Sequence, residues 1–190
     1  MAMKFYHRVL NYNKVNTLNC LAKQIRSQTN MEFFNTNYSF NNRFTLESSK
    51  SILEEYNNMD WVDYVQQIKC KNAIRPFNSS SYYKLLLPYT DKYDLFDMYL
   101  IKWPMGSISN IHGHHDYGCI FKVLQGDLNE KIYQGEASDY DLTNVILDNR
   151  LNRNATSYID DEIGYHQIKN NSDSMCGYTL HIYGKNRELH

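Results

Sequence analysis

The sequence predicts a mainly β protein, a small barrel with α-helices packed outside it. From Ser81 onward, short runs rich in Tyr, Ile, Val and Leu alternate with turn residues at close, regular spacing, the pattern of an all-β barrel or sandwich. Before about residue 75, apolar residues recur instead at helical spacing. Tyrosine is abundant at 17, while glycine at 8 and proline at 3 are scarce. That mixture suits strands that line a half-polar interior.

The elements follow in order. Val15, Leu18, Ala22 and Ile25 mark a first amphipathic helix, and Leu46, Leu53 and Tyr56 a second. Trp61, Tyr64, Val65 and Ile68 mark a third, with Asp60 standing before them as an N-cap. An Asn-rich loop from Asn35 to Arg43 separates the first two. Strands are expected over 81–87, 95–103, 107–115, 119–126, 128–134, 144–148, 156–160, 165–169 and 177–183. At 190 residues the chain is expected to be one domain, 1–190, with a helical part at 1–75 and the barrel at 76–190.

Composition narrows the function. A formal net charge of -1, with no Lys or Arg stripe, argues against nucleic acid as a partner. Cys20, Cys70, Cys119 and Cys176 are far apart and form no CxxC pair, so neither a zinc site nor a disulfide framework is expected. The opening MAMKFYHRVLNYNK has no apolar run long enough for a signal peptide, and no later segment is long enough to span a membrane. A monomer of the cytoplasm, with no membrane partner, is the expectation.

The chemistry is expected in the barrel. Five histidines, at 112, 114, 115, 166 and 181, fall in the strand-rich part. His112 and His114 lie two apart in a strand-like run, which would turn both imidazoles to one face, as chelation of one metal ion requires. An isolated HxH is as often a solvated cluster, but the surroundings here are not generic. Gly106, His112, His114, Cys119 and Gly126 stand at the spacing of the first cupin motif, and Gly164, His166 and Asn170 at that of the second. Cys119 occupies the place where that motif usually carries a fourth ligand, Glu. Three neutral imidazoles then leave the ion its full charge and open positions, which suits a thiolate and dioxygen.

The resemblance is closer than to cupins at large. IHGHHDYGCIFKVLQG, IGYH and the series Thr179, His181, Tyr183 are similar to the corresponding motifs of the cysteine dioxygenase family, and LEEYNNMDWVDY resembles its helical segment before the barrel. The likeness runs over about residues 45 to 184. It implies a cupin barrel, jelly-roll-like, with one Fe(II) on His112, His114 and His166. It also implies a small thiol and dioxygen as substrates, and oxidation of L-cysteine to cysteine sulfinic acid. Tyr183 then supplies a hydroxyl near the substrate, oriented by a hydrogen bond from His181 with Thr179 behind it. The eukaryotic branch joins a cysteine at the place of Cys119 to the tyrosine through a thioether, and both partners are present. Where the family grips the substrate carboxylate with Arg in a Tyr-x-Arg stretch, this chain has Tyr82 and Lys84. A Lys is a point charge without the planar fork, and by alternation it stands either in the site or on the outer face. Two alternatives stay open: a dioxygenase of another small thiol such as a mercapto-acid, and a cupin that binds a metal or ligand without turnover.

Overall fold

The computed structural model describes residues 15–37, 45–68, 82–90, 92–115, 117–134 and 144–185. Its element order is α1 (Leu18–Asn37), a 3-10 turn (Glu47–Ser49), α2 (Lys50–Glu55), α3 (Val62–Val65), then strands β1 (Tyr83–Leu86), β2 (Phe96–Trp103), β3 (Cys119–Gln125), β4 (Leu128–Tyr133), β5 (Val145–Leu151), β6 (Thr156–Ile159), β7 (Tyr165–Asn170) and β8 (Gly177–Gly184). The strands form two antiparallel sheets, one in the order β1-β2-β8-β3-β6 and the other β5-β4-β7. The mainly β fold with helices outside is thus the observed one. No helix among the described residues is long and apolar enough to cross a membrane.

The helices lie on the outer face of the five-stranded sheet. Leu18, Ile25, Leu53, Tyr56 and Trp61 share one core with Met98, Leu100, Ile120, Leu180 and Ile182. A second core, with Ile101, Trp103, Phe121, Val123, Leu128 and Ile168, fills the space between the sheets. Strands β3 and β8 therefore bury both faces, and their burial is nearly continuous along the strand. This sandwiching fixes which residues look inward: Cys119, Phe121 and Val123 on β3, and Thr179, His181 and Tyr183 on β8, which pair across in register.

Lys122, on the outward face of β3, is only 1% exposed. Its Nζ donates to the carbonyls of Glu54 and Tyr56, each at 2.7 Å. These carbonyls belong to the end of α2, where helical partners run out, so the ammonium both satisfies them and meets the negative end of the helix. A buried lysine thus docks a short helix on the barrel.

Three sequence expectations are corrected. Asp60 does not cap α3, whose N-cap is Trp61 with no side-chain hydrogen bond. Its Oδ2 accepts instead from the Leu18 N–H at 2.7 Å, at the first turn of α1, and its Oδ1 from the Tyr56 hydroxyl at 2.5 Å. The Asn-rich stretch is not wholly a loop, because α1 continues through Asn37; residues 38–43 lie outside the described residues. Most consequentially, 107–115 is not a strand. It meets β7 through isolated bridges, Ile108 to Lys169 and His112 to His166, and through backbone bonds at Ser107 and Ser109, without a continuous ladder.

Candidate metal centre

The segment before β3 is held to β7 by its backbone. The N–H of His112 donates to the His166 carbonyl at 3.0 Å, and that of His166 to the His112 carbonyl at 2.9 Å. Ser109 exchanges backbone and hydroxyl bonds with Ile168 one step further along. Strand β7 therefore brings His166 opposite His112. His114 arrives beside them through a different device. Its backbone N–H donates to Asp161 Oδ1 at 2.8 Å, and a Cβ on the intervening Gly113 would press into that same carboxylate and the Tyr165 ring. Glycine between the two histidines is what lets the Asp161 loop close on the second one.

One ring nitrogen from each of His112, His114 and His166 consequently lies within 4.8 Å of the other two. The convergence comes from this bridge and this turn, not from strand alternation as the sequence suggested. His115, next to them, takes a left-handed φ of 51° and is exposed, away from the cluster.

The ring hydrogen bonds decide which nitrogens face inward. His112 Nδ1 lies 2.9 Å from the Asn110 carbonyl, which can only accept, so the hydrogen sits on Nδ1 and Nε2 is bare. His166 Nδ1 lies 2.7 Å from Glu130 Oε1, and a carboxylate there fixes the same tautomer. Burial first, and after it the charges of neighbouring imidazoles or of Lys84, hold His112, His114 and His166 below the ordinary imidazole value, hence neutral. Burial pushes the Glu130 carboxyl up to about 7, opposed by the Ser157 hydroxyl.

These residues fit a metal ion. His114 Nε2 and His166 Nε2 are 2.8 Å apart. Two nitrogens at about 2.1 Å from a common ion, at right angles, would stand about 3.0 Å apart. Three neutral imidazoles converging in this way are a donor set for a borderline divalent cation.

Beside the imidazoles opens a cavity of about 570 Å³, lined by Tyr82, Lys84, Asn110 and His112. The register of β1 on β2 pairs Lys84 with Ile101, which in turn pairs with Thr179, so Lys84 stands on the interior face. Its ammonium lies 4.6 Å from the centre of the Tyr183 ring, with Tyr82 at 5.5 Å and Tyr99 at 5.8 Å. Burial lowers its pKa, with Cys119 opposing.

Behind the cavity, Thr179, His181 and Tyr183 share one face, but their bonding differs from expectation. Thr179 Oγ1 accepts from the Trp103 indole N–H at 2.8 Å and lies 2.8 Å from His181 Nε2. His181 Nδ1 faces Cys119 Sγ at 3.7 Å. Both imidazole nitrogens are thus engaged, and the His181 ring stacks on Tyr183 at 5.6 Å and 17° without bonding its hydroxyl. Cys119 is fully buried and is the direct cross-strand partner of Tyr183. Burial raises both the Cys119 thiol and the Tyr183 phenol.

Sequence reasoning missed Glu130, Asp161 and Asn110. Glu130 alone left a trace: it falls between Leu128 and Ile132 on the inward alternation of β4, where an apolar residue is due.

The chain is similar to known proteins over its strand-rich part. The protein-family model described as "Cysteine dioxygenase type I" matches residues 77–186. The chain is 32% identical over 88 residues to cysteine dioxygenase type 1 of Rattus norvegicus, covering 46% of this chain and 44% of the relative. It is 27% identical over 143 residues to that of Danio rerio, covering 73% and 64%. The matched stretch thus spans less than half the length of the rat relative. Among solved structures, a cupin 2 conserved barrel domain protein from Rhodopseudomonas palustris aligns with a TM-score of 0.45 at 13% identity, over 63% of this chain and 70% of that one.

Proposed function

The chain belongs to the cysteine dioxygenase type I family, and from that premise we propose that it is an iron-dependent thiol dioxygenase acting on L-cysteine. Both atoms of dioxygen end on the sulfur, giving cysteine sulfinic acid. The observation that carries the reading is the convergence of three neutral imidazoles beside a cavity whose wall bears a cation, Lys84. Fe(II), held by His112, His114 and His166, would supply the acidity that deprotonates a thiol and the redox chemistry that activates dioxygen.

The remaining roles fall to the chain's own groups. The Lys84 ammonium binds the substrate carboxylate as a single point charge, with Tyr82 beside it. Tyr183, kept protonated by its burial, donates its hydroxyl hydrogen to the reacting thiol or dioxygen. His181 holds the Tyr183 ring by stacking and is itself held by Thr179, which Trp103 anchors. Phe121, stacked on His181 at 4.8 Å, closes the rear of the site to water.

Cys119 and Tyr183 are the pair for a thioether. A bond from Sγ to the phenol ring replaces S–H and C–H, and the two electrons and two protons go to dioxygen. Their pairing in the β3–β8 register supports that reading. Cys119 and Cys176, in no disulfide among the described residues, fit a reducing, cytoplasmic setting, and the functional unit is taken as a monomer.

One observation favours a neighbouring substrate. Lys84 is a point charge that can meet the carboxylate of any small thiol acid and makes no contact specific to an amine, so a mercapto-acid is the second candidate substrate. Oxygen uptake by the iron-loaded protein against cysteine, a mercapto-acid and cysteamine tests the reading, with product mass showing the gain of two oxygens. Uptake with none of the thiols would overturn it.

A further inference from the structure

A buried carboxyl group stands behind the histidine cluster. Glu130 on β4 is 0% exposed. Its Oε1 meets His166 Nδ1 at 2.7 Å, and its Oε2 accepts from the Ser157 hydroxyl at 2.6 Å. Ser157 belongs to β6 of the other sheet, so the carboxylate spans the barrel interior from one sheet to the other. The position pairs across with Ile168 and sits between Leu128 and Ile132, on a face that is otherwise apolar there.

A carboxylate in such surroundings is costly unless something charged compensates it. Among the described residues, no cation bonds to it. The charge it can answer is the one that the three imidazole nitrogens are arranged to hold.

We infer that Glu130 is a positioning residue for the metal ion. It fixes His166 as the Nδ1–H tautomer, aims bare Nε2 at the centre, and gives the ion a negative charge one hydrogen bond away. The imidazoles, all neutral, supply none themselves. Asn110 does the first part of this for His112 through a carbonyl but brings no charge. His166 is thereby the most basic of the three ligands, because a carboxylate partner raises the donor strength of an imidazole.

The inference rests on the metal-binding part of the proposed function, and the test separates the two. Wild type, Glu130→Gln and Glu130→Leu are prepared metal-free. Fe(II) affinity is measured without oxygen by competition with a chromophoric chelator, and the visible spectrum is recorded with Co(II). Gln keeps an acceptor oxygen and removes the charge; Leu removes both. Affinity is expected to fall about tenfold in Glu130→Gln and about a hundredfold in Glu130→Leu, the range seen when such outer partners are lost. The cobalt bands should shift in both. The melting temperature of metal-free Glu130→Gln should not fall, since an uncompensated buried carboxylate has been removed.

A merely structural role would give the opposite pattern: a lower melting temperature, with wild-type metal affinity and an unchanged cobalt spectrum. That pattern in Glu130→Gln, whose side chain is isosteric, overturns the inference and leaves the proposed function standing. A wild-type protein that binds neither metal removes both.

Discussion

Replacing Lys84 tests whether this chain anchors its substrate through one charge. Its ammonium rests on the Tyr183 ring at 4.6 Å with Tyr82 and Tyr99 around it, and it lines the cavity together with His112. A hydrogen bond to a charged group contributes about 1.5–3 kcal/mol, or roughly ten- to a hundredfold in affinity. Because Lys84 is open to solvent at the cavity mouth and its ammonium is only partly desolvated by the tyrosines around it, solvent screens the pair and the lower half of that range applies. Lys84→Ala is therefore expected to raise KM for cysteine about ten- to thirtyfold. Steady-state oxygen uptake with cysteine and with cysteamine, which lacks the carboxylate, separates anchoring from packing. If the lysine acts by holding the Tyr183 ring, the two thiols suffer alike; if it holds the carboxylate, cysteamine is almost indifferent. Lys84→Arg should restore cysteine oxidation, since the fork meets both oxygens. The same assay carries a pH signature. Burial lowers the Lys84 pKa, and the anchor exists only in the protonated form. The KM ratio of cysteine to cysteamine should therefore climb as pH rises through that lowered value, below the ordinary lysine range. Equal kinetics for wild type and Lys84→Ala with cysteine would refute the reasoning.

His112→Ala, His114→Ala and His166→Ala should each lose the bound metal, whereas His115→Ala should retain it; metal analysis of the purified variants decides, and near-normal iron in any of the first three removes that residue from the ligand set. Once iron, dioxygen and thiol are supplied, Cys119 and Tyr183 should appear in peptide mapping as one fused species lighter by two hydrogens, and turnover with the two peptides always separate would exclude the thioether. Gly113→Ala should weaken metal binding with a modest loss of stability, about 1–2 kcal/mol, because the new Cβ displaces the Asp161 carboxylate from the His114 N–H; unchanged metal affinity and melting temperature would show that the Asp161 loop has slack. Thr179→Val leaves the buried Trp103 indole N–H without its acceptor and should cost about 1–3 kcal/mol in denaturant unfolding, a result contradicted by wild-type stability.

What the sequence revealed and what it hid divide along a physical line. The three candidate ligands were legible because the spacing of His112, His114, Cys119 and Gly126, and then of Gly164, His166 and Asn170, is one-dimensional information. The reason offered for their convergence was not correct. Period-two alternation holds for a paired strand, and 107–115 meets β7 through isolated bridges at Ile108 and His112 and backbone bonds at Ser107 and Ser109, not through a continuous ladder. The β-like residues there are used for two bridges and a glycine turn instead. Lys84 posed a choice that alternation alone leaves even, and only pairing resolves it, since Lys84 faces inward through Ile101 and Thr179. The long-range partners were hidden for a different reason: a Glu at 130 or a Lys at 122 reads as a solvated residue until the imidazole of His166 or the carbonyls of α2 are known to lie beside it.

The trio on β8 shows how far face assignment reaches. Thr179, His181 and Tyr183 do share the interior face, yet residues two apart on a strand stand almost 7 Å from each other. At that distance two rings that both rise from the sheet meet most easily in a stack, and a ring nitrogen reaches sideways to a short side chain or a neighbouring strand. His181 does both, with Thr179 Oγ1 at one nitrogen and Cys119 Sγ at the other. The Tyr183 hydroxyl is left clear of His181, so its orientation rests on the stack with His181 and the Lys84 ammonium over its ring. The cation that is proposed to receive the substrate carboxylate and the phenol that is proposed to act on the thiol are thereby in contact. Drawing Lys84 toward a bound anion must change the field at Tyr183, which couples substrate recognition to the acidity of the group beside the reacting atoms.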